Sequence, residues 1–251
     1  MTKIIGLFNQ ASSMGKTTLT INLGYHLAEQ GKKVLAVDMD THAWLTKQMR
    51  IAPEKLKTTI YEALALKKPL IPCATTCGID IIPATKQLTA LEANLAQKKD
   101  RQHRLKIALQ LLTKNSDAIL IDCPPHLGLL SVMCLAAADC VLVPIETTEK
   151  GIEGARDFLM TFKNVKDNLN KNLKISGVVP TKYDMRRSHH KLKLESIQKS
   201  FSKVGITVYP AIGLYTDFEN AWDEGLPLAL YNPRHIAVQK LQSIAQKLGS
   251  V

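Results

Sequence analysis

The chain has 251 residues, with 33 Lys+Arg against 22 Asp+Glu, a formal net charge of +11 and 45% hydrophobic residues. That apolar content supports a sizeable core and excludes a globally disordered chain, and no run approaches the roughly 18 apolar residues of a membrane span. Residues Met1-Thr2-Lys3-Ile4-Ile5 run almost directly into a strand pattern without a signal-peptide layout, so secreted, membrane-spanning and fibrous classes fit poorly.

In chain order, Ile4 to Phe8 is a short apolar run of the buried-strand kind. Thr17 to Gln30 follows as a helix, with Leu19, Leu23 and Leu27 one turn apart and Gly31 at the stop. Val34 to Val37 is the next strand and closes on Asp38. Further apolar runs lie at Ile79 to Ile82, Ala118 to Ile121, Cys140 to Val143 and Ile175 to Val179, with helical stretches at Leu105 to Leu112 and Gly154 to Val165. Strands apolar throughout and separated by helices predict a mostly parallel, twisted α/β sheet with helices on both faces. No repeat or linker interrupts it, so residues 1–251 are expected to form one domain. Five scattered cysteines, an odd number, predict reduced structural thiols rather than a disulfide framework.

The strongest local signal is Asn9-Gln10-Ala11-Ser12-Ser13-Met14-Gly15-Lys16-Thr17-Thr18. It follows a strand and opens a helix, the context of a phosphate-binding loop in P-loop NTPases. Backbone N–H groups from Ser13 to Thr17 can wrap phosphate oxygens, Gly15 allows close approach, Lys16 reaches the β- and γ-phosphates, and the Thr17 hydroxyl can ligate Mg2+. The loop lacks the first glycine of the G-x-x-x-x-G-K-[ST] pattern; Gln10 stands there. Ala118 to Asp122 is a hydrophobic strand ending in a carboxylate that suits Mg2+, and Asp38-Met39-Asp40 puts two more at another strand end. One of these can support the metal's water shell and the other can orient attacking water.

Asn9-Gln10 with Gly15-Lys16-Thr17-Thr18, Val37-Asp38-Met39-Asp40 and Ile121-Asp122-Cys123-Pro124-Pro125 resemble the ParA/MinD family of deviant Walker ATPases. Ala138 to Pro144, Glu153-Gly154, Val179 to Asp184 and Ala221 with Gly225 and Pro227 resemble its later blocks. The resemblance implies a short-type positioning ATPase using ATP and Mg2+. Asp40 would then position water, and Thr17, Asp38 and Asp122 would serve the metal. Ala11 to Thr18 would cradle the phosphates, and the adenine would lie near Thr181 and Pro210. It further implies an ATP-dependent homodimer, non-specific double-stranded DNA, a ParB-like or McdB-like cargo adaptor, and a cytoplasmic, nucleoid-associated location.

One departure matters. The family loop reads Lys-Gly-Gly where this chain has Ala11-Ser12-Ser13, so the lysine that crosses the dimer to the partner's nucleotide is missing. Its loss resembles the McdA branch, which positions carboxysomes; a plasmid or chromosome partition ATPase is the alternative. Lys150, on the rim beyond the strand that ends at Pro144, is the candidate replacement.

Lys182 to Lys203 holds seven basic residues against two acidic ones. Leu194, Ile197 and Phe201 supply an inward stripe, so Lys182, Arg186, Arg187, Lys191, Lys193 and Lys199 are candidate phosphate contacts on DNA. The apolar stripe from Pro233 to Leu248 reads as a packed terminal helix rather than a membrane anchor, so no membrane partner is expected. Trp44 and Trp222 read as packing or interface residues. A MinD-like membrane regulator and a metabolic P-loop ligase are the rival readings.

Overall fold

The computed structural model describes residues 2–249. Seven strands form one sheet: β1 (Lys3–Leu7), β2 (Val34–Asp38), β3 (Cys73–Ala74), β4 (Asp80–Ile82), β5 (Ala118–Asp122), β6 (Cys140–Glu146) and β7 (Lys174–Thr181). The order is β3-β4-β2-β5-β1-β6-β7. All neighbours are parallel except β3 with β4. The two-residue β3 is too short to leave a periodic signal and was not expected from the sequence.

The helices are α1 (Lys16–Glu29), α2 (Trp44–Gln48), α3 (Ile60–Leu66), α4 (Leu91–Leu95), α5 (Arg104–Leu109), α6 (Leu129–Ala137), α7 (Glu149–Asn168), α8 (Ser188–Ser202), α9 (Asp217–Glu224), α10 (Leu228–Tyr231) and α11 (Ile236–Gly249). Two starts differ from expectation. Helix α7 begins five residues earlier than the apolar stripe, because the Thr148 hydroxyl accepts from Gly151 N–H at 3.3 Å and caps it. Helix α8 begins only at Ser188.

Strand alternation splits the core in two. Ile4 belongs to one cluster, with Leu130 and Met133 of α6, Phe158 of α7 and Ile197 and Phe201 of α8. Ile5 belongs to the other, with Leu19, Leu23 and Leu27 of α1 and Leu241, Ile244 and Leu248 of α11. Helix α11 thus packs as the terminal helix the sequence predicts. All five cysteines are free. Among the described residues no helix is long and apolar enough to cross a membrane.

The register sets up the site. Leu7 of β1 and Asp38 of β2 both pair with Asp122 of β5. Level positions in parallel strands point to one face, so the carboxylates of Asp38 and Asp122 share a face at the carboxyl edge of the sheet, where ligands of open α/β folds bind.

Candidate nucleotide site

Buried Asn9 anchors the loop between β1 and α1. Its Nδ2 donates to Pro144 O at 2.7 Å, and its Oδ1 accepts from Ala11 N–H at 2.9 Å. Ser13 (φ 61°) and Gly15 (φ 89°) are both left-handed, which turns successive N–H groups toward a common centre. Thr181 Oγ1 donates to Met14 O at 2.9 Å and ties the loop to the end of β7. Helix α1 starts without a side-chain cap; its first N–H groups stay available to an anion at the positive end of the helix.

Lys16 is buried, and its Nζ donates to Asn9 O and Ala11 O, both at 3.1 Å. Burial pushes its ammonium down, opposed by Asp122. Thr17 Oγ1 donates to Asp122 Oδ2 at 2.7 Å. Asp122 Oδ1 is buried and has no hydrogen-bond partner. Burial first, and then the charge of Asp38, push the Asp122 carboxyl up. A hydroxyl and a carboxylate oxygen with an unused lone pair are hard ligands, and a cation there would relieve both the orphaned oxygen and the repulsion. These residues fit Mg2+.

Asp38 is placed differently from a carboxylate with open oxygens. Its Oδ2 accepts from Thr46 N–H at 2.9 Å and Thr46 Oγ1 at 2.7 Å, and its Oδ1 accepts from Asp40 N–H at 3.0 Å. Thr46 Oγ1 also accepts from Ala84 N–H at 2.9 Å. Asp38 therefore braces the segment carrying Asp40, because the loop after β2 folds Thr46 back over it. Burial still pushes its carboxyl up.

A cavity of about 700 Å³ opens on the loop, within the size range of small-molecule sites. Ser12 to Thr18, Asp40 and Thr181 line it; Ala11, Asp38, Asp122 and Lys150 do not. Pro210, expected near the adenine, is exposed and outside this lining. Residues 209–212 run beside β7, with Tyr209 N–H on Val178 O and Ile212 N–H on Pro180 O, so this segment reaches the cavity from Ile212 onward. Sequence reasoning missed His42, His126, Tyr215 and Phe218, and did not place Trp44 and Trp222 at this cavity, where all six lie. Only the spacing of Asp40 and His42 offered a signal, as an acceptor two residues before a donor.

Helix α7 lies directly against the loop. A Cβ on Gly154 would meet Asn9 Oδ1 at 2.7 Å and Ala11 Cβ at 2.9 Å, so only glycine admits this approach. Lys150 precedes Gly154 by four residues, which sets both on one helix face, and it is exposed.

The basic segment divides. Residues 182–187 form a loop rather than the expected helical face. Arg186 and Arg187 both reach Asp184, at 3.0 and 3.4 Å, and the hydrogen bonds from Arg186 hold the Asp184 carboxyl down at about 2. Lys182 pairs with Glu146 at 3.7 Å, and Lys193 pairs with Glu149. Lys191 and Lys199 on α8 are exposed.

Comparison with known proteins agrees with this geometry. The model of the family described as AAA domain matches residues 2–175. The sporulation initiation inhibitor protein Soj of Bacillus subtilis is 36% identical over 100% of this chain and 99% of its own. The chromosome partitioning protein ParA of Caulobacter vibrioides is 33% identical over 99% and 94%. Among solved structures, cobyrinic acid a,c-diamide synthase from Mycobacterium smegmatis, with bound ATP analog and magnesium, superposes with a TM-score of 0.87 at 29% identity, over 99% of this chain and 94% of that one. An ATP complex of Cyanothece McdA shares the fold, with a TM-score of 0.89 at 21% identity over 99% and 96%. With its phosphate loop, paired strand-end carboxylates and these relatives, the chain belongs to the AAA-domain P-loop ATPases of the ParA and Soj type.

Proposed function

We infer that this ATPase is a positioning switch: with ATP it dimerises through the loop face, the dimer is retained on non-specific DNA over the nucleoid, and an adaptor on a cargo triggers hydrolysis and release. ATP favours the dimer and the dimer favours DNA, so hydrolysis shifts the population off the DNA. The higher identity to Soj and ParA than to McdA favours a DNA cargo with a ParB-like adaptor over carboxysomes with an McdB-like one.

In this reading the N–H groups of Ser13 to Thr17 bind phosphate oxygens at the start of α1. Lys16 exchanges its carbonyl partners for phosphate, and its charge is undiluted because water is excluded. Thr17 and Asp122 hold the metal, while Asp38 acts through Thr46 and Asp40 rather than by direct ligation. Magnesium bound there supplies Lewis-acid neutralisation of developing phosphate charge. Asp40 orients the attacking water. Thr181 and the Ile212 to Tyr215 segment enclose the base.

The observation that carries the switch is the contact of Gly154 with Ala11. It sets α7 on the loop and supports the reading that exposed Lys150, one turn before Gly154, serves a facing protomer's triphosphate. Light scattering with ATP, ADP or no nucleotide, alongside binding to random-sequence duplex, tests the reading. ATP-dependent dimers and ATP-dependent DNA binding support it, and Lys150→Ala is expected to raise the dimer dissociation constant at least tenfold, as ~1.4 kcal/mol of lost cross-dimer interaction would. Monomers without DNA binding would favour a metabolic ligase such as the M. smegmatis protein's name describes. Binding to anionic vesicles through the segment from Pro233 onward would favour a membrane regulator.

A further inference from the structure

Asp40 is held by an unusual neighbour. Its Oδ1 accepts twice from His42, from the backbone N–H at 2.9 Å and from ring Nδ1 at 3.0 Å. Its own N–H is taken by Asp38 Oδ1. Among the described residues, Oδ2 is the one polar side-chain atom of Asp40 without a protein hydrogen bond, on a residue that lines the cavity.

Packing does not require the His42 ring, whose side chain is 59% exposed. It is nevertheless fixed in place. Ala43, the next residue, is left-handed (φ 54°), a conformation that costs a non-glycine residue about 1 kcal/mol, and its N–H closes a turn on Asp40 O at 2.9 Å. That turn folds the ring back over the carboxylate. The Trp44 indole lies parallel to the ring, 8° apart in plane with centroids at 6.1 Å. Trp44 is itself held edge-on by Trp222, at 6.0 Å, and capped by the Lys47 ammonium, 4.3 Å from its ring. An exposed histidine–carboxylate contact adds little to stability. The consequence of this arrangement therefore lies in where the carboxylate points.

We propose that His42 is a positioning residue for ATP hydrolysis: its Nδ1–H locks Asp40 Oδ1 and so aims Oδ2 at the attacking water. The inference rests on the water-orienting role given to Asp40 above. A donor at Nδ1 is present whether this tautomer of the ring is neutral or protonated, so the device does not depend on the charge of His42. Orientation within a narrow cone governs rate far more than affinity.

The test is single-turnover hydrolysis of radiolabelled ATP by the full chain with Mg2+, with nucleotide affinity measured in parallel. His42→Ala keeps the backbone bond and loses the ring. It is expected to slow hydrolysis about tenfold while affinity stays within about twofold. His42→Asn carries an amide N–H where Nδ1 stood, and is expected to recover to within about threefold of the parent. Parent-like hydrolysis by His42→Ala, equal slowing by the Ala and Asn variants, or a matching loss of affinity would each overturn the proposal. Asp40→Ala separates the two layers. If it hydrolyses at the parent rate, the role of Asp40 fails and this inference with it. If Asp40→Ala is slow and His42→Ala is not, the inference about His42 alone fails.

Discussion

The loop end of the sheet and the basic segment around α8 both hold dense charge, and they treat it in opposite ways. At the loop, Lys16, Asp38 and Asp122 are buried within one small volume, where an unpaired charge is costly. Each is committed to a named partner, and the single oxygen left over, Asp122 Oδ1, fits a cation. Around α8 the charges sit in water, and four of the six candidate DNA contacts already have acidic neighbours. Exposed pairs contribute little and dissolve readily in favour of another anion. Burial makes a charged residue type informative about its role; exposure does not.

Asp122→Asn breaks this contrast most strongly. It keeps the shape and removes the charge, so Mg-dependent hydrolysis should fall at least a hundredfold in a phosphate-release assay. The same variant should raise the melting temperature without metal, because repulsion with Asp38 disappears. A lowered melting temperature would mean that the buried carboxylates stabilise rather than strain the fold.

Gly154→Ala is next. The new methyl must displace Asn9 and Ala11, and nucleotide affinity should weaken about tenfold, as read by titration with a fluorescent ATP analogue. On the exposed side, Lys191→Ala should weaken duplex binding a few-fold and reduce the salt slope by about one phosphate contact. Arg186→Ala should reduce that slope less, since Asp184 already competes for its guanidinium; equal effects would show the ion pairs to be irrelevant on DNA.

The smallest expected effect lies far from both regions. His26, near the end of α1, is buried with neither ring nitrogen hydrogen-bonded, and burial lowers its pKa against the opposing charge of Glu29, 3.9 Å from Nδ1. The folded state then holds it neutral while the unfolded chain takes up a proton below about 6.5. Stability present above that pH should be lost as pH falls toward the depressed folded value, and then level off. His26→Leu should flatten that part of the profile and stabilise by about 1 kcal/mol at pH 5, measured by thermal melts across pH.

The loop and Asp122 were legible in the sequence because strand, turn and helix follow one another without a gap, so order along the chain is order in space. The hold on Asp38 was not. Thr46 lies eight residues on, past a left-handed Ala43, a position where glycine or asparagine would have signalled the turn. Gly154 was legible as part of a motif but its contact was not, since that contact is with Ala11, more than a hundred residues away. The basic residues were counted correctly, yet their acidic partners Glu146 and Glu149 come from β6 and α7, which local composition does not reveal.

The aromatic pair at the cavity has a practical consequence. Trp44 and Trp222 are the chain's two tryptophans, and both line the cavity with rings 6.0 Å apart. All indole emission of the protein therefore originates at the mouth of the site. Loop closure or ligand entry would alter its intensity and colour against no background from elsewhere in the fold, giving the unlabelled chain its own optical gauge of occupancy.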